Sequence, residues 1–219
     1  MAEPASQESA VPVAPRRPLA RRPANARERT PEGAKVTRSL LDAALTVYGR
    51  RGYQQTRVDD IAAAASVSHG TFYLYFRNKE DLLHRLAGEC AQDMDSLIAA
   101  LLALRRPPGE AALTAWLRDF VRTYRRYGPI LRIWFEGHDP DPLMQSLADD
   151  VLSRLSAGVE ELIRDQLPAR ADPMVAAFAT VGMLDRVGYY LLSSPDSADE
   201  DSVVETLNRM IGGLARPPR

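Results

Sequence analysis

Between Ser66 and Leu83 the chain reads SVSHGTFYLYFRNKEDLL. Within this stretch lie hydroxyls at Ser68, Thr71, Tyr73 and Tyr75, an imidazole at His69 and an ammonium at Lys79, with Arg57 shortly before it. Such groups donate to phosphate oxygens and meet base edges, so the pattern suits a phosphate-bearing polymer. Four rings, Phe72, Tyr73, Tyr75 and Phe76, crowd into five positions. A helix that short does not need them all for a core, so some must face outward. Reaction chemistry finds no matching pattern. There is no Ser/His/Asp, Cys/His, paired-carboxylate or Gly-rich phosphate-binding arrangement in supporting context, so the chain is not expected to be an enzyme.

Metal and redox chemistry are not expected either. Cys90 is the sole cysteine, which rules out an intramolecular disulfide and a cysteine-based metal site and fits a reducing cytoplasm. His84 and His138 read as ordinary histidines. Glu136-Gly137-His138-Asp139 offers oxygen and nitrogen ligands at a spacing that matches no metal template. No metal and no cofactor are therefore expected.

The elements that must position these groups are helices. Leu40, Leu41, Ala44, Leu45 and Tyr48 recur at helical spacing, which predicts a first helix from about Glu32 to Arg51, stopped by Gly52 in a left-handed conformation. Thr56 can cap a second helix, with Asp59 three residues on completing a capping box and Val58, Ile61, Ala62 and Ala65 as its apolar stripe. Ser66-Val67 is a turn. Ser68 can cap a short third helix ending near Phe76, and Asn78 a fourth with Glu80 and Asp81 in its first turn. Further helices are expected over Lys79–Leu104, Glu110–Tyr127, Pro129–Gly137, Pro142–Leu167, Pro173–Leu192 and Asp199–Ala215, separated by Pro- and Gly-containing breakers. The fold class is all-α: an N-terminal three-helix, helix-turn-helix head and a larger helical body.

Charge divides the same way. The 219 residues carry a net charge of −1, but residues 1–79 hold 13 Lys and Arg against 7 Asp and Glu, while residues 80–219 hold 15 against 22. A basic front suggests contact with a polyanion. Residues 1–30 read as a disordered basic tail, rich in Pro and Arg, able to follow a DNA backbone or to remain a solvated tail. They contain no apolar run of the secretory type, and no segment approaches the roughly 20 apolar residues of a membrane span, so a cytoplasmic location is expected. Residues 31–78 form the head and 79–219 the body.

Phe72 and Phe76, four apart, share a face and can anchor the short helix against Leu45, Val58 and Ile61. Tyr73 and Tyr75 then project elsewhere. The run Thr56-Arg57-Val58-x-x-Ile61-Ala62, followed by Ala65-Ser66-Val67-Ser68-x-Gly70-Thr71-Phe72-Tyr73-x-Tyr75-Phe76-x-Asn78-Lys79-Glu80-x-Leu82, resembles the DNA-binding head of TetR-family transcriptional regulators over about Ala34 to Leu83. The resemblance implies a sequence-specific DNA-binding regulator. In the family this is most often a homodimeric repressor whose effector is bound by a divergent helical body. It places Thr56, Arg57, Ser68, His69, Gly70, Thr71, Tyr73 and Lys79 at the DNA. The residue readings also allow Thr56 to be only a cap, Lys79 a solvated charge and His69 a plain surface residue. An activator, or a regulator without a small-molecule ligand, fits the same head, whereas an all-α enzyme or carrier lacks any supporting motif.

The resemblance further assigns a two-fold dimer interface to about 173–192 and 199–215, where Ala176, Ala177, Ala179, Gly182 and Gly188 allow close approach. Val181, Leu184, Val187, Val203, Val204, Leu207, Met210, Ile211 and Leu214 supply apolar area there. Two such heads call for a pseudo-palindromic operator in double-stranded DNA. Met94, Trp116, Phe120, Tyr124, Trp134, Phe135, Phe178 and Met183 are candidates to line the pocket of an unidentified small-molecule effector, each equally readable as packed core. Arg122, Arg125 and Arg126 could meet an acidic group or simply form a solvated face. Pro129–Gly137, lying between breakers, is the expected lever between body and head.

Overall fold

The computed structural model describes residues 30–136, 141–193 and 199–214; the expected basic arm and His138 lie outside them. Among the described residues every regular element is helical. The head contains α1 (Pro31–Arg51), α2 (Val58–Ala64) and α3 (His69–Tyr75). The body contains α4 (Lys79–Leu102), α5 (Glu110–Glu136), α6 (Pro142–Ile163) with a 3-10 turn at Arg164–Gln166, α7 (Pro173–Ser193) and α8 (Glu200–Leu214).

Local chemistry explains most boundaries. Thr30 caps α1 by accepting from the Gly33 N–H, and Asn78 caps α4 by accepting from the Asp81 N–H at 2.8 Å. Gly52 ends α1 as expected, but with φ 77° and ψ 157° it occupies the extended, glycine-only region rather than the left-handed helical one. The cap of α2 also departs from expectation. Arg57, not Thr56, is the N-cap residue, and the Asp60 carboxylate, not Asp59, accepts from the Arg57 N–H at 2.9 Å. The helix simply starts one residue later, which shifts the reciprocal acid by one.

Between α2 and α3 the turn closes on Ser66 at φ 57°, with the Ser66 N–H donating to Ala63 O and the Val67 N–H to Ala62 O. That pair of bonds satisfies the last carbonyls of α2 and fixes the angle at which α3 leaves it.

The 24-residue α4 joins head to body. Its buried face, Leu82, Leu83, Leu86, Ala87, Cys90, Met94, Leu97, Ile98 and Leu101, belongs to one apolar core shared by head and body, and its first carbonyl, Lys79 O, accepts from the Tyr48 hydroxyl of α1. In the body α4 packs on α5 and α6, α6 on α7, and α5 on α8 and α1. Gly158 of α6 allows the closest α4–α6 approach: a Cβ there would sit 3.2 Å from a Leu101 methyl. His84 of α4 and Asp141, the N-cap of α6, form a short hydrogen-bonded pair that ties these helices together at the head-facing end.

Gly128-Pro129 does not break the chain. The helix runs through it as part of α5. A proline there removes one backbone hydrogen bond and crowds the preceding turn, a cost of about 3 kcal/mol. Four buried side chains on both sides of it, Tyr127, Ile130, Leu131 and Trp134, favour continuity by more than that. The proline also serves a contact: a Cβ on Gly49 of α1 would lie 3.6 Å from Pro129 Cγ, so the head rests against α5 at this point. The expected lever is therefore the C-terminal end of a continuous helix, not a separate segment.

Candidate nucleic-acid interface

The third helix is seven residues long, so its orientation depends on its ends and on its two anchors. Ser68 caps it by accepting from the Thr71 N–H at 3.0 Å, and the Ser68 and Thr71 hydroxyls share a hydrogen bond of 2.8 Å. Phe72 is fully buried and Phe76 nearly so, their ring centroids 5.8 Å apart. With those rings fixed, the 3.6-residue period turns His69, Gly70, Tyr73 and Leu74 to the opposite side, where all four are exposed. Tyr75 is half-buried against the core. The crowded stretch thus divides into two anchors, one partly buried ring and one outward tyrosine at 48% exposure.

Gly70 keeps the centre of this outer face open. A Cβ would meet only the Ser68 hydroxyl, at 3.8 Å, so nothing inside the chain requires glycine there. The absence of a side chain leaves the backbone of the helix exposed at this point. Arg57, at the start of α2, is exposed on the neighbouring helix. His69 Nε2 lies 3.3 Å from Asp59 Oδ1 of α2, and the edge of the His69 ring meets Tyr73 with centroids 5.0 Å apart.

Two predicted DNA contacts are placed differently. Thr56 is only 2% exposed, and its hydroxyl donates to Gly52 O at 2.7 Å. Its side chain closes the loop between α1 and α2 and is not presented at the surface. Lys79 is half-buried. Its ammonium donates to Tyr53 O at 3.1 Å and Thr56 O at 3.2 Å, with Gln54 O at 3.5 Å, and stands 4.4 Å from the Tyr53 ring centroid. Three carbonyl acceptors match the three protons of an ammonium. Lys79 therefore pins the residue 53–56 loop to the start of α4 and so positions Arg57 and α2. The charge was legible in the sequence; its inward direction was not, because it depends on a loop that carries no periodicity.

Asp59 and Leu74 are the residues that sequence reasoning missed at this surface. In the sequence Asp59 carries only the signal of a capping acid. The apolar Leu74 carried no signal except its position one residue after Tyr73.

In the body, the candidate pocket residues Met94, Trp116, Phe120, Tyr124 and Trp134 are all buried, and Met183 is partly buried. Trp116, Phe120 and Tyr124 form a row on α5, with centroids 5.8 and 5.7 Å apart. Trp116 Nε1 donates to Leu97 O, and the Tyr124 hydroxyl donates to Asp185 Oδ1 at 2.6 Å. Burial, followed by that carboxylate, drives the Tyr124 hydroxyl far above the ordinary phenol range. Trp134 Nε1 is buried with no hydrogen-bond partner among the described residues. The side chain of Phe135 lies outside the described residues.

Phe178 does not join this group. It is 50% exposed, beside exposed Met174 and Val175 on the outer face of α7, because α7 turns Ala177, Val181, Leu184 and Gly188 inward instead. Those inward residues, with Val204, Leu207 and Ile211 of α8, are buried within the subunit, so half of the stripe expected at the dimer face is core. Arg122, Arg125 and Arg126 pair with Asp119, Glu200 and Asp93, which makes them a balanced surface rather than an anion site.

Comparison with known proteins agrees with this geometry. Residues 40–86 match the family model "Bacterial regulatory proteins, tetR family", and residues 108–213 match "Tetracyclin repressor-like, C-terminal domain". A fatty acid metabolism regulator protein of Bacillus subtilis is 50% identical over 50 residues, which covers 23% of this chain and 26% of that protein. The HTH-type transcriptional regulator TtgR of Pseudomonas putida is 30% identical over 190 residues, covering 78% of this chain and 87% of that one. The chain spans about a quarter of the first of these relatives and most of the second. Two solved structures share the fold. One is a transcriptional regulator FadR of Bacillus subtilis in complex with stearoyl-CoA (17% identity, TM-score 0.59, covering 82% of this chain and 99% of that one). The other is AibR with isovaleryl coenzyme A and operator DNA (21% identity, TM-score 0.63, covering 84% and 100%). Capped head, anchored third helix and helical body, together with a match running the length of a curated regulator, lead to one conclusion: this chain belongs to the TetR family of transcriptional regulators, which bind DNA and are not enzymes.

Proposed function

We propose that the protein is a homodimeric transcriptional repressor that holds a pseudo-palindromic operator and leaves it when a small-molecule effector binds the body. The carrying observation is the split of α3 into a buried face of Phe72 and Phe76 and an exposed face of His69, Gly70 and Tyr73. An exposed recognition helix resting on a rigid anchor is what a major groove admits. Ser68 and Thr71, at the helix start, are the phosphate-facing hydroxyls of this reading. Arg57 reaches the backbone beside them, and Thr56 and Lys79 act by holding the loop between them.

Dimerisation is supported by apolar side chains left outside the subunit. Met174, Val175 and Phe178 on α7 and Met210 on α8 are each at least half exposed, and Gly182 and Gly213 have open space where a Cβ would be. Paired about a two-fold axis, these faces bury one another and hold two heads for half-sites roughly 34–36 Å apart, or a multiple of that. The expected test is sedimentation of the full chain: a dimer for the wild type, and a monomer that no longer binds paired half-sites for Phe178→Asp.

The effector reading rests on the aromatic row of α5 and on Trp134, whose buried indole N–H lacks an acceptor. A buried unmet donor is costly, and a ligand carbonyl would satisfy it. Acyl thioesters combine an apolar chain with such a carbonyl, and two structural neighbours are described with acyl-coenzyme A compounds. Because the chain has only two tryptophans, Trp116 and Trp134, their fluorescence reports directly on this region. Titration with acyl-CoAs of increasing length should change that emission and release operator DNA at the same concentrations. Emission and DNA binding both unmoved across the series would remove acyl thioesters from the proposal.

A further inference from the structure

We infer that Asp59 is a specificity-determining positioning residue: by holding the His69 ring it makes the DNA-reading surface an acceptor that selects against guanine. This rests on the DNA-binding reading above. The observation is a contact between helices. His69 Nε2 of α3 lies 3.3 Å from Asp59 Oδ1 of α2, with the two side chains 58% and 74% exposed.

The neighbouring acid already does the capping work of α2. Asp60 accepts from the Arg57 N–H and pairs with Arg51 at 2.8 Å, so α2 already has its capping carboxylate. Asp59 stands free of that work, on a surface that must approach phosphates. An exposed carboxylate there weakens binding to every DNA sequence unless it does something for particular ones. Its partner among the described residues is the imidazole, and Tyr73 meets the ring with centroids 5.0 Å apart at 71°. The ring is thus placed by a neighbour on its own helix and by a carboxylate on the next.

The chemistry follows from the tautomer. A neutral imidazole carries one N–H, and a carboxylate oxygen 3.3 Å from Nε2 favours the tautomer with that proton on Nε2. The remaining ring nitrogen, Nδ1, is then an acceptor, as are the carboxylate oxygens. Guanine shows only acceptors, O6 and N7, in the major groove, whereas cytosine and adenine show amino donors. The Asp59–His69 pair therefore suits an amino-bearing base and repels guanine. Freed of Asp59, His69 can turn its N–H to guanine.

The test is selection of bound sites from a random DNA library by the full-length protein at pH 8. The proteins are wild type, Asp59→Ala, His69→Ala and the double variant. The positions read by His69 are those whose preference disappears in His69→Ala. At these positions wild type should exclude guanine, and Asp59→Ala should raise guanine by about 5-fold or more. In the His69→Ala background the Asp59 substitution should change nothing further in preference. If Asp59→Ala melts early, Asp59→Ser substitutes for it, since serine suits a first helical turn and is too short to reach Nε2. Equal tightening on all sequences, or a guanine shift that persists without His69, would overturn the inference. Wild-type protein that enriches no sequence would instead reject the DNA-binding reading, and this inference with it.

Discussion

Two sets of aromatic residues, one on a short helix of the head and one on a long helix of the body, are buried to different extents. On α3, Phe72 and Phe76 are buried while Tyr73 is exposed. On α5, Trp116, Phe120, Tyr124 and Trp134 are all buried. The difference lies in what surrounds the helix. The third helix is a seven-residue rod lying on one neighbouring layer, so only one side of it can be covered. The fifth is 27 residues long and is flanked by α1, α4, α6, α7 and α8. Polar tips follow the same division. Tyr124 is satisfied inside by Asp185, whereas Tyr73 sends its hydroxyl outward. An outward ring on a fixed anchor is free to meet a partner; an inward ring is packed within the subunit.

The comparison can be broken at either row. The largest effect is expected for Phe72→Ala, which should cost about 3–5 kcal/mol by opening a cavity under α3. Thermal or denaturant unfolding should show it, with DNA binding lost because the helix is no longer held. A stability change below 1 kcal/mol would mean that α3 is not anchored as described. Next is Gly188→Ala in α7. Its Cβ would fall 2.7 Å from the Tyr124 ring, so Tyr124 must shift and strain its bond to Asp185. A loss of about 1–3 kcal/mol is expected, with the head and its DNA affinity unaffected.

The joint between α4 and α6 gives a smaller, pH-dependent effect. Burial acts to raise the Asp141 pKa, but the hydrogen bonds from His84 and from the Leu143 N–H outweigh it and hold the carboxyl below its ordinary 3.8. A lowered folded pKa means stability that is complete above the unfolded value and is lost as pH falls through the folded one. Asp141→Ala should therefore cost about 0.5–2 kcal/mol at pH 7 through the lost cap, and progressively less below pH 3.8. A cost that does not shrink in acid would deny the carboxylate its role. Trp134→Phe should leave stability within about 0.5 kcal/mol, since the lost donor has no partner, yet weaken any effector that uses the indole N–H. A change of the opposite sign is Ser66→Gly. Relief of a positive φ should stabilise the turn by about 0.5–1 kcal/mol without altering DNA affinity.

Much of the head was legible because its signals are local. Ser68 and Asn78 cap the helices expected of them, and Phe72 and Phe76 sit four apart on one face. What depended on distant partners was not legible. Gly128-Pro129 looks like a break in any isolated chain, and only the packing of Tyr127, Ile130, Leu131 and Trp134 carries α5 through it. The apolar stripe of α7 announced a buried face without saying which residues the subunit itself covers. Hence Phe178 fell outside the candidate pocket and Gly188 inside the core. Lys79 and Thr56 have the right chemistry for phosphate but turn inward to loop carbonyls.

The measurement closest to the centre of this account is operator affinity set beside thermal stability for Tyr73→Ala. An outward reader should lose at least tenfold in DNA affinity, about 1.4 kcal/mol, while the melting temperature stays within about 2 °C of wild type. Unchanged affinity, or a melting temperature that falls along with it, would contradict the claim that α3 separates its anchoring face from its reading face.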